Sequence, residues 1–259
     1  MPQSRSPIPS QNPKYLLIDI SNSFTKFAPA SEEALGRVSR TPTDSLTLEG
    51  FAAMARPGQR IILSSVVPEK AALARKAFAA QVAAGDFLAV GHKLKLGTGI
   101  VYPQPASIGA DRLANAAAVR TLYGAPAIVV DFGTAVTFDI ISVQGDYIGG
   151  VIAPGLDAMT HYLYERTALL PRIRLSEPVS AIGKSTQGAM LAGTVYGYRG
   201  LVREILEEIR KELAEKRKLH VVATGGYAEL IAARMPEIEV VHPNLTLEGL
   251  RIIGDLNFD

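Results

Sequence analysis

Two short segments of this chain share one pattern, which predicts a fold that is built twice. The segments are DISNSFTKF (19–27) and DFGTAVTFD (131–139), and they align without a gap, 112 residues apart. Both have Asp first, a small residue third, Asn or Thr fourth and Thr seventh. In each segment the Asp ends an apolar run typical of a buried strand, and a second strand-like run follows.

The rest of the chain also divides into two series of strands and helices. In the first series, the hydrophobic pattern predicts strands over 15–21, 24–30, 33–43, 60–67 and 86–91, and helices over 46–55 and 68–82. In the second series, it predicts strands over 127–133, 135–142, 147–154, 219–226 and 238–243, and helices over 156–167, 185–216, 227–234 and 246–254. A strand meander followed by strand–helix alternation indicates a mixed sheet covered by helices. We therefore expect an α/β chain with an N-terminal lobe over 15–120 and a C-terminal lobe over 121–259.

Composition and charge narrow the class of protein. Lys and Arg together number 27 against 25 for Asp and Glu, a net charge of +2, which gives no electrostatic reason for a nucleic-acid or membrane partner. The absence of Cys excludes disulfides, thiolate metal sites and Cys nucleophiles. No window approaches the roughly 18 apolar residues of a membrane span, and the polar, Pro-rich residues 1–14 read as a disordered tail without the apolar core of a signal peptide. We expect a soluble, cytoplasmic protein.

The repeated Asp segments suggest phosphate binding, although another interpretation exists. Asp and Gly are common turn residues, so the 131–133 segment alone is equally consistent with an ordinary turn between strands. Because the pattern occurs twice, we favour two phosphate-binding turns, in which small residues let backbone N–H groups approach phosphate and Asn22, Ser23 and Thr134 add polar contacts. Asp19 and Asp131 would repel a bare triphosphate, so this interpretation requires cations between carboxylate and phosphate.

A third segment, YPQPASIGADRLANAAAV (102–119), places Asp111 and Arg112 at the start of an Ala-rich helix. One interpretation is an acidic helix start, because the helix dipole favours a negative charge there. The other is a general base beside a guanidinium that pairs with an acidic substrate. These residues alone leave both interpretations open.

With these motifs the chain resembles the type III pantothenate kinases, which belong to the acetate and sugar kinase, Hsp70 and actin superfamily. DISNSFTK (19–26) and DFGTAVTFD (131–139) are similar to the two phosphate motifs of the superfamily. The family's YxxPxxxGxDR pantothenate motif is matched at every fixed position, by Tyr102, Pro105, Gly109, Asp111 and Arg112. Three further segments resemble family motifs. YIGGVIAPG (147–155) is similar to the dimer-interface motif, and ATGG (223–226) to the adenosine motif. IGKSTQGAMLAG (182–193) is similar to the family's conserved helix start.

The resemblance implies two similar actin-like (ribonuclease H-like) lobes, each a mixed sheet flanked by helices, with an ATP cleft between them. It implies ATP-dependent phosphorylation of pantothenate to 4′-phosphopantothenate, the first step of coenzyme A biosynthesis, by a homodimer. The residues that would hold ATP are Asp19, Ser21, Asn22, Ser23, Lys26, Gly133 and Thr134. Mg²⁺ would lie near Asp19, and a monovalent cation, K⁺ or NH₄⁺, at Asp131.

The same resemblance assigns the substrate residues. Pantothenate would be held by Tyr102, Gly109, Ala110, Asp111 and Arg112, with Asp111 accepting the proton of the primary hydroxyl. Thr186 would contact the same substrate from across the dimer interface.

One position departs from the family pattern, which has DxGN[TS] where this chain has Ser21 in place of Gly. Ser brings a Cβ to the point where the backbone should approach phosphate, and a positive φ would be costly there, so we expect weaker ATP binding or a shifted loop. Two other functions stay open: a kinase of another small hydroxy acid, and a noncatalytic nucleotide-binding regulatory or accessory protein. The presence of Asp111, Arg112 and both phosphate-motif aspartates favours the enzyme, and no helix-turn-helix segment is evident.

Overall fold

The fold is seen in a computed structural model that describes residues 13–258, without the side chain of Ala84. The tail expected over 1–14 lies outside the described residues, except for Pro13 and Lys14. The described chain forms two compact units. One contains the residues up to Leu122 together with those from Asn244 onwards, and the other is Tyr123–Pro243.

The secondary structure follows the two predicted series. The first unit contains β1 (Tyr15–Ile20), β2 (Phe24–Ala30), β3 (Ser39–Pro42), α1 (Leu48–Ala52), β4 (Arg60–Ser65), α2 (Pro68–Ala79), β5 (Phe87–Ala89), β6 (Gly99–Ile100) and α3 (Ala110–Leu122). The second unit contains β7 (Ala127–Phe132), β8 (Ala135–Ile141), β9 (Asp146–Pro154), α4 (Leu156–Arg166), α5 (Thr186–Leu213), β10 (His220–Gly225), α6 (Ala228–Ala232) and β11 (Val240–Val241). The chain ends with α7 (Leu245–Asn257).

The two units have one strand topology. In the first, the strand order is β3-β2-β1-β4-β5, with β2 antiparallel to both β1 and β3, and with β1, β4 and β5 parallel. The second sheet has six strands, and the five that belong to the second unit, in the order β9-β8-β7-β10-β11, repeat this arrangement with the same strand directions. The expectation of one α/β architecture present twice is confirmed.

Each sheet is covered by helices on an apolar face. In the first unit, alternate residues of β1, Leu16, Ile18 and Ile20, pack with Phe51 of α1 and Phe78 of α2. The other face of this sheet packs against α3 and α7. In the second unit, the equivalent side chains of β7 pack against α5 and α6. The alternation of side chains along each strand therefore leaves Asp19 and Asp131 on the face opposite these clusters.

The sequence repeat holds for the strands but changes at the hairpin. Asp19 is the fifth residue of β1 and pairs with Lys26, whereas Asp131 is the fifth residue of β7 and pairs with Thr137. The second connection is one residue shorter, because the N–H of Gly133 donates directly to the carbonyl of Ala135 (3.1 Å). The gap-free alignment is therefore wrong by one residue beyond the turn.

Several expected elements differ in extent or place: the strand expected over 238–243, for example, is limited to β11, and that over 86–91 to β5. The strand expected over 33–43 is limited to β3, because the hydroxyl of Ser31 accepts hydrogen bonds from the N–H groups of Glu33 and Ala34 and makes a turn. The helix expected over 46–55 is limited to α1, which begins after the Thr47 cap. The last helix, expected in the C-terminal lobe, packs as α7 on α3, β1, β2 and β4 and so belongs to the first unit. None of the helices within residues 13–258 has the length and apolar character that a membrane crossing needs.

Candidate active site

The first predicted phosphate turn, residues 21–23 and called the first phosphate turn below, follows β1. Asp19 is buried (6% exposed), and its Oδ2 accepts a hydrogen bond from the hydroxyl of Ser21 (3.3 Å). The N–H of Ser21 donates to the carbonyl of Phe24 (3.2 Å), and its carbonyl accepts from the hydroxyl of Thr43 (2.7 Å). These bonds fix the turn from both sides. The predicted ATP residues Asn22 and Ser23 lie at its exposed tip.

Ser21 adopts this turn without backbone strain. Among residues 13–258, Ala214 is the one non-glycine residue with a positive φ, so Ser21 has an ordinary backbone conformation. The backbone cost expected for Ser at this position therefore does not arise, and the weaker ATP binding stays a prediction. Instead, the additional hydroxyl contacts the carboxylate of Asp19.

Basic side chains lie next to this turn. Lys26 pairs with Asp19 across the antiparallel β1–β2 ladder and therefore lies on the same face of the sheet. Arg40 pairs with Lys26 on β3, and its guanidinium lies over the ring of Phe24, 3.4 Å from the ring centroid. The strands beside the turn thus carry positive charge on the face that carries the Asp19 carboxylate.

The second predicted phosphate turn, residues 133–134 and called the second phosphate turn below, follows β7 and packs against Gly155. Gly133 and Thr134 are exposed, and the carbonyl of Thr134 accepts a hydrogen bond from the N–H of Gly155 (3.2 Å). A Cβ on Gly155 would collide with the carbonyl of Thr134 and would lie 2.6 Å from that of Gly133. Gly155 is therefore required for the close packing of α4's first residues against the turn.

Gly225 has a related role beside the Asp131 carboxylate. A Cβ on Gly225 would lie 2.6 Å from Oδ1 of Asp131, and the φ of Gly225 is +94°. Only glycine satisfies both conditions readily. The ATGG segment thus lies directly against the second phosphate-motif aspartate.

The pantothenate motif is built around the start of α3. Tyr102 is 37% exposed, a single 3₁₀ turn over Pro105–Ser107 follows, and Gly109 and Ala110 lead into the helix. Oδ1 of Asp111 accepts a hydrogen bond from the N–H of Arg112 (2.8 Å). A Cβ on Gly109 would lie 2.5 Å from the same oxygen, so the glycine makes room for the carboxylate.

The environment of Asp111 changes its acidity. Burial raises the pKa of this carboxyl above its ordinary value, while the hydrogen bond from the N–H of Arg112 and the positive charge of the Arg112 guanidinium act in the opposite direction. A carboxylate with a raised pKa is a better proton acceptor than an ordinary surface aspartate.

The structure brings the first phosphate turn and the pantothenate motif together within the first unit. The N–H of Val66, just after β4, donates to the carbonyl of Ile20 at the end of β1 (3.1 Å). The side chain of Val66 also lies beside Gly109: its Cγ1 would be 3.6 Å from a Cβ added to this glycine. The ends of β1 and β4 and the start of α3 therefore meet at one edge of the sheet.

The remaining predicted residues lie in the second unit. Asp131, Gly133 and Thr134 form the second turn, and Thr186 is the exposed first residue of α5. Ser185 caps this helix, because its hydroxyl accepts a hydrogen bond from the N–H of Gly188 (3.1 Å).

The structural roles of Gly155 and Gly225 were not evident from the residue pattern. Each depends on a contact with a segment far away in the chain, and the pattern around each glycine is that of an ordinary turn. A signal for Gly225 exists in hindsight, because two adjacent glycines after a buried strand indicate a close approach of another group.

Comparisons with known proteins agree with the geometry. A sequence profile described as type III pantothenate kinase matches residues 15–208. A type III pantothenate kinase of Akkermansia muciniphila is 49% identical over 247 residues, which cover 94% of this chain and 99% of that protein. A type III pantothenate kinase of Methylacidiphilum infernorum is 44% identical over 243 residues, which cover 93% of this chain and 88% of that protein.

A solved structure shows the same fold. It is a conserved Campylobacter jejuni protein assigned to the Baf family of transcriptional activators, with a TM-score of 0.62, 21% identity, and coverage of 93% of this chain and 97% of that chain. At this identity the likeness concerns the fold alone. Together with the duplicated sheet, it confirms the expected actin-like architecture.

Proposed function

The chain belongs to the type III pantothenate kinase family, and from this premise we propose how its residues divide the work of the reaction. The chain phosphorylates pantothenate in coenzyme A biosynthesis, using ATP and a divalent metal. The observation that carries the assignment of residues is the carboxylate of Asp111, which has a raised pKa at the start of α3 next to the first phosphate turn.

The donor groups in both turns suit a metal–nucleotide complex. No group of three or more His, Cys, Asp or Glu side chains that could hold a metal occurs in the described part of the chain, 13–258. Mg²⁺ commonly needs only one or two protein carboxylates, because phosphate oxygens and water supply its other ligands. A single carboxylate in each unit, next to an exposed turn of small residues, fits this requirement.

Asp19 would hold Mg²⁺, and the first turn would hold the ATP phosphates. Ser21, Asn22 and Ser23 supply N–H and hydroxyl donors, and Lys26 supplies a positive charge on the same face as Asp19. Asp19 would hold the divalent ion, whose contribution when bound would be to neutralise charge that develops on the transferred phosphoryl group.

In the second unit, Gly133 and Thr134 would contact phosphate from the exposed turn, and Asp131 would hold a monovalent cation, K⁺ or NH₄⁺. The contact between Asp131 and Gly225 supports this division of roles. It places the carboxylate at the point where the ATGG segment, which we assign to adenosine, meets the phosphate turn.

Asp111 would accept the proton of the pantothenate hydroxyl as that oxygen bonds to the γ-phosphorus and the bond to ADP breaks. The Arg112 guanidinium would pair with the substrate carboxylate, and Tyr102, Gly109 and Ala110 would complete the binding surface. Because the transition state of phosphoryl transfer is loose, position and cationic charge contribute more than the base.

A homodimer is part of the proposal. An open groove of about 520 Å³ in the second unit is lined mostly by apolar residues of α4 and α5, and its lining consists of Met159, Tyr162, Leu163, Ala189, Met190, Gly193 and Thr194. Exposed apolar side chains nearby in the chain, Tyr162 (62% exposed) and Leu169 (88% exposed), favour a protein partner. Thr186 lies three and four residues before Ala189 and Met190, so it shares their helix face and would be presented to a second copy.

The test is a coupled ADP-release assay with ATP, Mg²⁺ and pantothenate, in K⁺ and again with Na⁺ in its place. We expect pantothenate-dependent turnover that requires K⁺. Asp111→Asn should lower kcat by about 10²-fold or more, the usual contribution of a general base. The control is Asp44→Asn, because Asp44 is an exposed carboxylate of the same unit.

Three outcomes would contradict parts of this proposal. Full turnover of Asp111→Asn would remove Asp111 as the base. Equal turnover in Na⁺ and K⁺ would remove the monovalent site at Asp131. Turnover with a different hydroxy acid, but not with pantothenate, would contradict the substrate roles of Tyr102 and Arg112.

A further inference from the structure

Two buried hydroxyl groups occupy equivalent places in the two units. Ser64 is the fifth residue of β4 and Thr224 is the fifth residue of β10. Their side chains are 0% and 1% exposed, respectively. Within the described residues, 13–258, neither hydroxyl oxygen has a hydrogen-bond partner.

Each hydroxyl lies beside one of the phosphate-motif aspartates. Ser64 pairs in register with Asp19 across the parallel β1–β4 ladder, and Thr224 pairs in register with Asp131 across the β7–β10 ladder. In-register residues of neighbouring parallel strands lie on one face of a sheet, with the strands about 4.8 Å apart. The carboxylate is therefore the nearest charged group on the adjacent strand in both units.

A buried hydroxyl without a partner is unfavourable, and native structures contain few such groups. That two of them occur at the same position of a duplicated fold argues against accident. The neighbouring Ser65 shows the usual outcome, because its hydroxyl bonds to both the N–H and the carbonyl of Val67 (3.1 Å each). In both units the in-register neighbour of the unpartnered hydroxyl is a phosphate-motif aspartate, so a carboxylate turned toward the hydroxyl would supply the missing acceptor.

We propose that Ser64 and Thr224 are positioning residues for the two cation-binding carboxylates. In the nucleotide-bound state, Ser64 donates a hydrogen bond to the carboxylate of Asp19, and Thr224 donates one to that of Asp131. At Asp19 this hydrogen bond adds to the one that Oδ2 already accepts from the hydroxyl of Ser21, and in both units it fixes the orientation of the carboxylate toward the cation. This inference rests on the proposed function, which assigns Mg²⁺ to Asp19 and a monovalent cation to Asp131.

Such outer hydrogen bonds orient metal ligands, and their loss commonly lowers metal affinity by about 10-fold to 100-fold. A purely structural role predicts something different. Ser64→Ala and Thr224→Val remove an unsatisfied polar group, so packing alone would leave cation dependence unchanged. Under both the positioning role and the purely structural role, the melting temperature of each nucleotide-free variant should not fall. A lower melting temperature would instead indicate misfolding.

The experiment is calorimetric measurement of ATP affinity without pantothenate, with and without Mg²⁺, and in K⁺ or Na⁺. For Ser64→Ala, we expect the gain in ATP affinity produced by Mg²⁺ to fall by about 10-fold or more, with the gain produced by K⁺ retained. For Thr224→Val, we expect the gain in ATP affinity produced by K⁺ to fall by about 10-fold or more, with the gain produced by Mg²⁺ retained. Each variant is the control for the other, and Thr224→Ser, which keeps the hydroxyl, should behave as the wild type.

The outcomes separate this inference from the proposed function. If the wild type binds ATP with Mg²⁺ and turns over pantothenate but both variants keep its cation responses, the positioning roles are wrong and the proposed function stands. If Thr224→Ser is as impaired as Thr224→Val, the hydroxyl is not the active group. If wild-type ATP affinity responds to neither cation, the cation assignments fail, and the positioning roles fail with them.

Discussion

At two positions in this protein, a glycine leaves space that a carboxylate occupies. Oδ1 of Asp111 lies 2.5 Å from the position that a Cβ of Gly109 would take, and Oδ1 of Asp131 lies 2.6 Å from that of a Cβ on Gly225. In both cases an added methyl group would have to displace the carboxylate or the backbone. Gly109 and Gly225 thus leave the space in which the carboxylates of Asp111 and Asp131 lie.

The charge beside Asp111 should control the pH dependence of the enzyme. Asp111 must be deprotonated to act as a base, so kcat/KM should fall as the pH falls through its raised pKa. Arg112→Met removes a positive charge that lowers this pKa, so the acidic limb of the kcat/KM profile should move to higher pH. Arg112→Lys retains the charge and should leave the limb near its wild-type position, even if substrate binding is weaker in both variants.

An unmoved acidic limb in Arg112→Met would show that another group controls the profile. Because kcat/KM reports the ionisation of the free enzyme, a uniform loss of affinity lowers the whole curve and does not shift it. The position of the limb therefore distinguishes the electrostatic effect of Arg112 from its proposed contact with substrate.

At the scale of elements, helix α3, which carries Asp111 in its first turn, is supported by α7. The hydroxyl of Thr246 donates to Oδ1 of Asn115 (2.9 Å) inside this interface. Gly249 faces the backbone of Ala114, and a Cβ on it would collide with the Ala114 carbonyl. The two helices therefore cross at backbone contact, three residues after Asp111.

Gly249→Ala should force these helices apart. We expect a loss of about 1–3 kcal/mol in unfolding free energy, the usual range for overpacking, with a lower melting temperature and a higher KM for pantothenate. The matched control is Gly197→Ala in α5, where nothing lies within 4 Å of the added Cβ and Ala is the better helix former. A melting temperature equal to that of the wild type in Gly249→Ala would mean that the helices can adjust without cost.

The elements also show what could be predicted from the sequence. Strands β1, β7 and β8 are apolar runs with clear ends, and their observed bounds agree with the predicted ones to within one residue. The place of α7 could not be predicted, because its hydrophobic pattern shows that it is buried but not against which sheet. Contacts such as Gly225 with Asp131 depend on strand pairing between distant segments, which local patterns do not encode.

At the scale of the whole molecule, two copies of the chain are expected to act together. The groove between α4 and α5 offers apolar surface for a partner, and Thr186 lies on the same face of α5. If the partner supplies Thr186 to the pantothenate site, a monomer would have an incomplete site.

Tyr162→Lys should convert the dimer to a monomer, because it places a charge on a desolvated apolar surface. Analytical ultracentrifugation gives the oligomeric state, and the ADP-release assay should show a parallel loss of turnover. Tyr164→Lys is the matched control, since Tyr164 is an exposed tyrosine of the same helix that does not line the groove. A monomeric wild type with full activity would contradict the dimer.

The assignment of α7 to the first unit has a consequence for how the protein is made. The chain leaves the first unit after α3, forms the whole second unit, and only then returns with α7. During synthesis on a ribosome, the second unit can therefore be completed while the apolar flank of α3 is still uncovered. More than half of the chain is translated after the helix that carries Asp111. This helix is nevertheless among the last parts of the protein to reach its native surroundings.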